Sequence, residues 1–266
     1  VCLILFALDV DPRHRLVLAA NRDEFHARQT AGVHRWDDEP ILGGRDLTAG
    51  GTWLGVSTRD PKHPAAAGDT RLAPGVHTRL AAVTNVRDGV AVPDPTKRSR
   101  GRLPVDFLVG DSSAEDAARD LVAHAEEYAP VNLVVDDGVE MWWATNHFGP
   151  VARRVEPGVH GLSNGRLDEG WPKVRTGIAG LSTHVGDDPT TLLDMLHDPT
   201  TADPASLPHT GVPAAQELGL SAMFVDLGEY GTRASTVVRI GADGHGDLAE
   251  RRYAPDARSE TSTFTW

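Results

Sequence analysis

Hydrophobic positions fall in short runs rich in Leu, Val and Ile, broken by turn residues, and most of the chain reads as paired strands. Cys2 to Leu8 and Arg15 to Ala20, split by Asp9-Val-Asp-Pro12-Arg13-His14, predict a first β-hairpin. Gly51 to Ser57 and Arg79 to Val86 predict a second pair. The Pro- and Ala-rich Arg59 to His77 between them has neither strand nor helix period and reads as a surface insertion. Val131 to Asp136 and Val139 to Thr145 flank Asp137-Gly138, a dipeptide suited to the positive φ of a tight hairpin turn. The C-terminal part returns to strands at Ala222 to Asp226, Ala234 to Ile240 and Leu248 to Tyr253.

Helical spacing appears in clumps. Ser112-Ser113-Ala114-Glu115 resembles a capping box, and Ala117, Leu121, Ala125 and Tyr128 follow at helical intervals, which predicts a helix over 113–128. Trp171 to Leu181 and Thr190 to His197 are two more, with Pro172 suited to a first turn. Asp88 to Leu103 reads as a long loop. Hairpins with clustered helices, and no βαβ alternation, predict an α+β fold with mainly antiparallel sheet. No repeat or boundary divides the chain, so one domain over 1–266 is expected.

Composition narrows the function classes. With 40% hydrophobic and 24% charged residues, the chain can bury a core without a staple. A formal charge of −12 argues against nucleic acid, whose phosphates need clustered Lys and Arg. The single cysteine excludes an internal disulfide and fits a reducing, cytoplasmic setting. The run Cys2 to Leu8 is too short to span a bilayer and lacks the basic lead of a signal peptide. Oligomeric state is not legible.

Cys2 poses the chemical question. If residue 1 is removed, as it is when an alternative start codon is read as Met and trimmed before a small residue, the amine of Cys2 can take the proton from its own thiol. Otherwise Cys2 is a small apolar strand residue, as buried free thiols usually are, or, less consistently with the core-like run after it, a lipid-modified residue. Asn21-Arg22-Asp23-Glu24-Phe25 is either a solvated turn or a site in which Arg22 lowers the thiol pKa and a carboxylate orients the amine. The glycines of Gly43-Gly44-Arg45-Asp46 and Gly50 to Gly55 read as tight turns and match no P-loop or dinucleotide fingerprint. Asn85, at a strand end, is a turn residue or an oxyanion donor. Arg233 is a surface charge or a second cation aimed at a site. Gly161-Leu-Ser163-Asn164-Gly165 matches the G-x-S-x-G elbow, but Arg166 to Gly170 intervenes where that motif needs an immediate helix. The twelve histidines form no metal-ligand pair.

Taken in order, VCLILFAL, NRDEF, GGRDLTAGGTWLGV, AAVTNVR, GLSNG and GTRASTVVRI resemble the NRDE family, the transport and Golgi organisation protein 2 group. The resemblance implies the four-layer αββα sandwich of the N-terminal nucleophile hydrolases. It also implies a site in which Cys2 matches the nucleophile of the related cysteine amidases, Arg22 their Arg, Asn85 and Asn164 their two Asn, and Arg233 their late Arg. Those amidases carry an Asp three residues after the Arg, where this chain has Phe25, so Asp23 or Glu24 must substitute. The expected function is cysteine hydrolysis of a non-peptide amide or acyl bond on a small-molecule substrate, without metal or organic cofactor. The alternative is a non-catalytic carrier of a hydrophobic ligand, since eukaryotic relatives are linked to haem trafficking and to lipid or acyl-CoA homeostasis.

Overall fold

The computed structural model describes residues 2–59, 77–89, 94–254 and 259–266. Its thirteen strands are β1 Cys2–Leu8, β2 Leu16–Phe25, β3 Thr30–Arg35, β4 Leu42–Asp46, β5 Leu54–Arg59, β6 His77–Asn85, β7 Val131–Asp136, β8 Met141–Thr145, β9 Val151–Arg154, β10 Gly158–Leu162, β11 Tyr230–Ile240, β12 Gly246–Tyr253 and β13 Ser259–Thr265. Five helices accompany them: α1 Arg102–Val109, α2 Ala114–Ala123, α3 Pro172–His184, α4 Pro189–Leu196 and α5 Ala214–Gly219.

The strands form a six-stranded sheet of order β10-β1-β2-β11-β12-β13 and a seven-stranded sheet of order β3-β4-β5-β6-β7-β8-β9, with neighbouring strands antiparallel throughout. Strand alternation explains the layers. In β1, Ile4, Phe6 and Leu8 join Leu80, Ala82, Val134 and Trp143 of the other sheet in a central core, while Leu3, Leu5 and Ala7 face Val174, Leu181 and Leu192 of α3 and α4. On the second sheet Ala81, Val83, Leu133 and Val135 turn outward to Val105 and Phe107 of α1 and Leu121 of α2. Three cores separate four layers, so the αββα sandwich holds. Both faces of the central strands are buried, which is why their sequences are unbroken apolar runs.

Local chemistry fixes the element ends, and here several expectations change. Helix α2 opens as predicted, with Ser113 Oγ accepting from the Asp116 N–H at 3.0 Å. It stops at Ala123 and not at 128, because Asn146 Nδ2 donates to the carbonyls of Ala125 and Tyr128 and holds 125–127 as a 3₁₀ turn. The expected loop of Asp88 to Leu103 runs into α1, where Pro104 sits in a first turn that needs no N–H from it. Gly43 to Asp46 belongs to β4 and is not a turn; Gly50, at φ 74, is one. Gly51 lies against the Gly101 backbone, where no Cβ fits. Ala222 to Asp226 is not a strand and contributes one bridge, Asp226 to Gly231. The hairpin at Asp137-Gly138 forms, with Gly138 at φ 88. Of the expected insertion Arg59 to His77, Arg59 ends β5 and His77 opens β6, and 60–76 lie outside the described residues. No described helix is long and apolar enough to cross a membrane.

Candidate active site around Cys2

Cys2 opens β1, and its cross-strand partner is Arg22 of β2. The segment Asn21 to Phe25 is thus the end of a central strand, not a solvated turn. Asn21 is fully buried and donates to the carbonyls of Leu196 and Met223, which ties β2 to the helix layer. Arg22 and Asp23 are also buried. Between Asp23 and Glu24 the structure distinguishes clearly. Asp23 accepts from Thr232 Oγ1 at 2.7 Å beside Cys2, whereas Glu24 is partly exposed and lies 3.7 Å from Arg22 and 3.8 Å from Arg28. Phe25, at the position of the amidase Asp, is 57% exposed and stacks edge-on against Tyr230.

Arg233 reaches the same place through a defect in the sheet. The β2–β11 register shifts between Thr232, opposite Asp23, and Ala234, opposite Arg22, leaving Arg233 as the extra residue of a bulge. Its Nη1 donates to the carbonyls of Phe25, His26 and Arg28 at 3.0–3.4 Å, so it is not a free surface charge but fastens the turn after β2. Cys2, Arg22, Asp23, Asn85 and Arg233 line one cleft of about 490 Å³.

Asn164 does not line that cleft. It is fully buried behind Asn85, and its Nδ2 donates to Asn85 O at 2.8 Å and to Asn85 Oδ1 at 3.0 Å. Both amide hydrogens are thereby used, and the Asn85 side chain is held by its oxygen with its NH₂ half directed away. Around this pair the two sheets are pinned: Thr84 Oγ1 donates to Ser163 O at 2.6 Å, Asn132 Nδ2 to Gly165 O at 2.8 Å, and the Arg87 N–H to Asn164 O at 2.8 Å. Ser163 Oγ donates to Cys2 O at 3.0 Å. The G-x-S-x-G match is therefore no elbow. Its serine is buried at the end of an antiparallel edge strand and anchors the backbone of Cys2.

Electrostatics at the thiol run in opposing directions. Burial raises the Cys2 pKa, with the Asp23 carboxylate adding to it, while the Asp23 backbone N–H and Arg22 act to lower it. Cys2 is 8% exposed; Arg22 does lower the thiol pKa as expected, but desolvation outweighs it and the protonated form is favoured. Burial likewise raises Asp23, opposed by Lys173, the Thr232 hydroxyl and Arg22. Three of these groups were not anticipated. Tyr230, whose hydroxyl donates to Asp23 O at 3.1 Å, adjoins the Gly231-Thr232-Arg233 stretch and Thr232 lies within it; both were findable by strand alternation. Lys173 carried no local signal.

A family model described as Transport and Golgi organisation 2 matches residues 1–255. A mouse Transport and Golgi organization 2 homolog is 30% identical over 297 residues, covering 99% of this chain and 98% of the relative. The human homolog is 29% identical, covering 100% and 98%. A Drosophila melanogaster Transport and Golgi organization protein 2 is 41% identical over 63 residues, 21% of this chain and 22% of that protein. A match along almost the whole length, with mammalian relatives aligned end to end, means that the chain belongs to the Transport and Golgi organisation 2 family.

Proposed function

We propose that the chain is a cysteine hydrolase of a non-peptide amide or related acyl bond, with Cys2 as nucleophile once it becomes the first residue. The observation that carries this reading is convergence: Cys2, Arg22, Asp23, Asn85 and Arg233, dispersed over the sequence, line one cleft. The freed amine of Cys2 takes the thiol proton, and Sγ attacks the carbonyl carbon. The Asn85 NH₂, oriented from behind by Asn164, donates to the oxyanion. As the C–N bond breaks, the ammonium returns the proton to the leaving amine. A water, deprotonated by the same amine, then cleaves the thioester. Arg22 offsets part of the desolvation of the thiolate, Asp23 holds the amine, and Arg233 shapes the cleft mouth.

Intact mass of the protein purified from its native host, followed by a panel of fluorogenic acyl amides and thioesters, tests this reading. The expected result is a chain beginning at Cys2 whose turnover is lost in Cys2→Ala. A chain that retains residue 1, or turnover that survives Cys2→Ala, overturns it.

One observation favours a second reading, a non-catalytic carrier of a haem or acyl ligand. Burial keeps the Cys2 thiol protonated, which suits a packed wall better than a nucleophile, and the names of the relatives speak of transport. On this reading Cys2→Ala binds haem or acyl-CoA as tightly as wild type, and equilibrium titration of both proteins decides between the two.

A further inference from the structure

Lys173 lies in the first turn of α3, is 3% exposed, and its Nζ makes no hydrogen bond among the described residues. Three effects oppose an ammonium there. Burial removes its hydration, the helix N-terminus is the positive end of the macrodipole, and Arg87 is a second buried cation close by. Glu217 of α5 gives little relief. One of its oxygens binds Arg87 Nη2 at 2.6 Å, and the other accepts from Thr210 Oγ1 at 2.7 Å. The remaining anion facing Lys173 is Asp23 of β2.

Strand alternation places the two sides of the site. Cys2 and Arg22 share the face of Ile4 and Ala20, turned to the second sheet; Asp23 shares the face of Val17 and Ala19, which α3 and α4 cover. The lysine thus approaches from the helix layer, behind Asp23, while Cys2 faces the cleft. Besides Lys173, the charged and titratable groups around Cys2 are Arg22 and Asp23 on β2, Arg100 ahead of α1, and Tyr230 on β11.

We propose that Lys173 is a positioning residue for the Cys2 site: from behind the sheet its ammonium balances the Asp23 carboxylate, whose charge opposes a thiolate, and so favours the charge that forms on the Cys2 sulfur. This rests on the reading of Cys2 as the reactive group. Burial draws the lysine down to about 8, against the Asp23 carboxylate, so it is charged at neutral pH with little to spare. Its charge and that of the sulfur are therefore linked. Each favours the other's ionised form by the same factor.

The chain's one cysteine makes the test specific, because intact mass counts alkylation at Cys2 alone. Iodoacetamide rates are measured against pH for wild type, Lys173→Met and Lys173→Arg. The expected outcome is roughly tenfold slower labelling of Lys173→Met at pH 7, where Lys173 is charged in wild type, with Lys173→Arg near wild type. A folded Lys173→Met protein labelled at the wild-type rate at pH 7 overturns the proposal, since a purely structural lysine would alter the urea midpoint and leave the labelling rate alone. If Lys173→Met does not fold, wild type labelled with ¹³C at lysine Cε gives three signals, from Lys62, Lys97 and Lys173. The Lys173 midpoint must fall in Asp23→Asn, which lacks the carboxylate that Lys173 faces, and an unchanged midpoint is equally fatal. Neither measurement uses turnover, so failure of the hydrolase reading and failure of the lysine's role are told apart.

Discussion

Replacing Asn164 tests whether the site is held from behind. In Asn164→Ala both hydrogen bonds to Asn85 disappear, leaving Asn85 O and Oδ1 without that donor, and Ser163 Oγ loses its contact with Asn164 Oδ1 at 3.2 Å. An orphaned buried acceptor costs about 1–3 kcal/mol, so two of them amount to about 2–6 kcal/mol. For a chain of this size each kcal/mol moves Tm by about 2–4 °C, and a fall of about 4–24 °C follows. Asn164→Asp sharpens the argument because it keeps the volume and the acceptor but replaces the donor with a carboxylate facing two oxygens. It should be at least as unstable at pH 7. The buried carboxyl titrates higher in the folded than in the unfolded chain, so the folded state holds the extra proton and stability returns as pH falls. Urea unfolding followed by tryptophan fluorescence at pH 5 and pH 7 measures this. If both variants unfold within 0.5 kcal/mol of wild type, or if Asn164→Asp shows no gain at low pH, Asn164 is not the clasp described.

Other perturbations have equally definite outcomes. Arg15 Nη2 lies 2.5 Å from the fully buried Asp136 Oδ1 and joins the approach to β2 to the opposite sheet, so Arg15→Met should cost about 3–5 kcal/mol at pH 7 in urea unfolding. Burial already raises Asp136; without Arg15 it rises further, and part of the loss should be regained as pH falls. His160 is raised by its hydrogen bond with Asp168, and Asp168 is lowered because bonds from His160 and the Gly161 N–H overcome its burial. The pair's contribution is complete between about pH 4 and 6.5, fading as pH rises through the folded His160 value and as it falls through that of Asp168. The difference in urea midpoint between wild type and His160→Gln should peak in that window. Gly51→Ala places a methyl against the Gly101 backbone at the cleft wall, and a lower Tm together with faster alkylation of Cys2 is expected.

The parts of the fold legible in the sequence are those where one residue's neighbours decide its state. The apolar runs of β1, β2 and β6 are buried on both faces, and Ser113 and Asp137-Gly138 carry their own local chemistry. What was hidden depends on partners distant in sequence. Strands β3 and β4 are short and Gly-rich, with half-buried positions, and acquire strand geometry by joining the edge of a sheet whose other members come later. Helix α1 is eight residues long with Pro104 in its first turn, and packing against β5 and β6, not propensity, maintains it.

The site divides along the same line. Cys2 and Arg22 were readable because a hairpin register places the start of one strand opposite the end of the next, and Asp23 follows Arg22 in the chain. Asn164 was readable only by resemblance, and the role implied there differs from the one its geometry allows: with both hydrogens given to Asn85, it orients a donor instead of serving as one. Lys173 was invisible because a lysine in a first helical turn ordinarily points to water, and only the stacking of a helix layer behind β2 turns it inward to face a carboxylate. A buried ammonium with no hydrogen bond among the described residues lowers stability, and Lys173→Met should unfold at higher urea than wild type. If the same substitution also slows alkylation of Cys2 at pH 7, stability and reactivity are in opposition at one residue, as expected where a chain holds a charge for chemistry and not for folding.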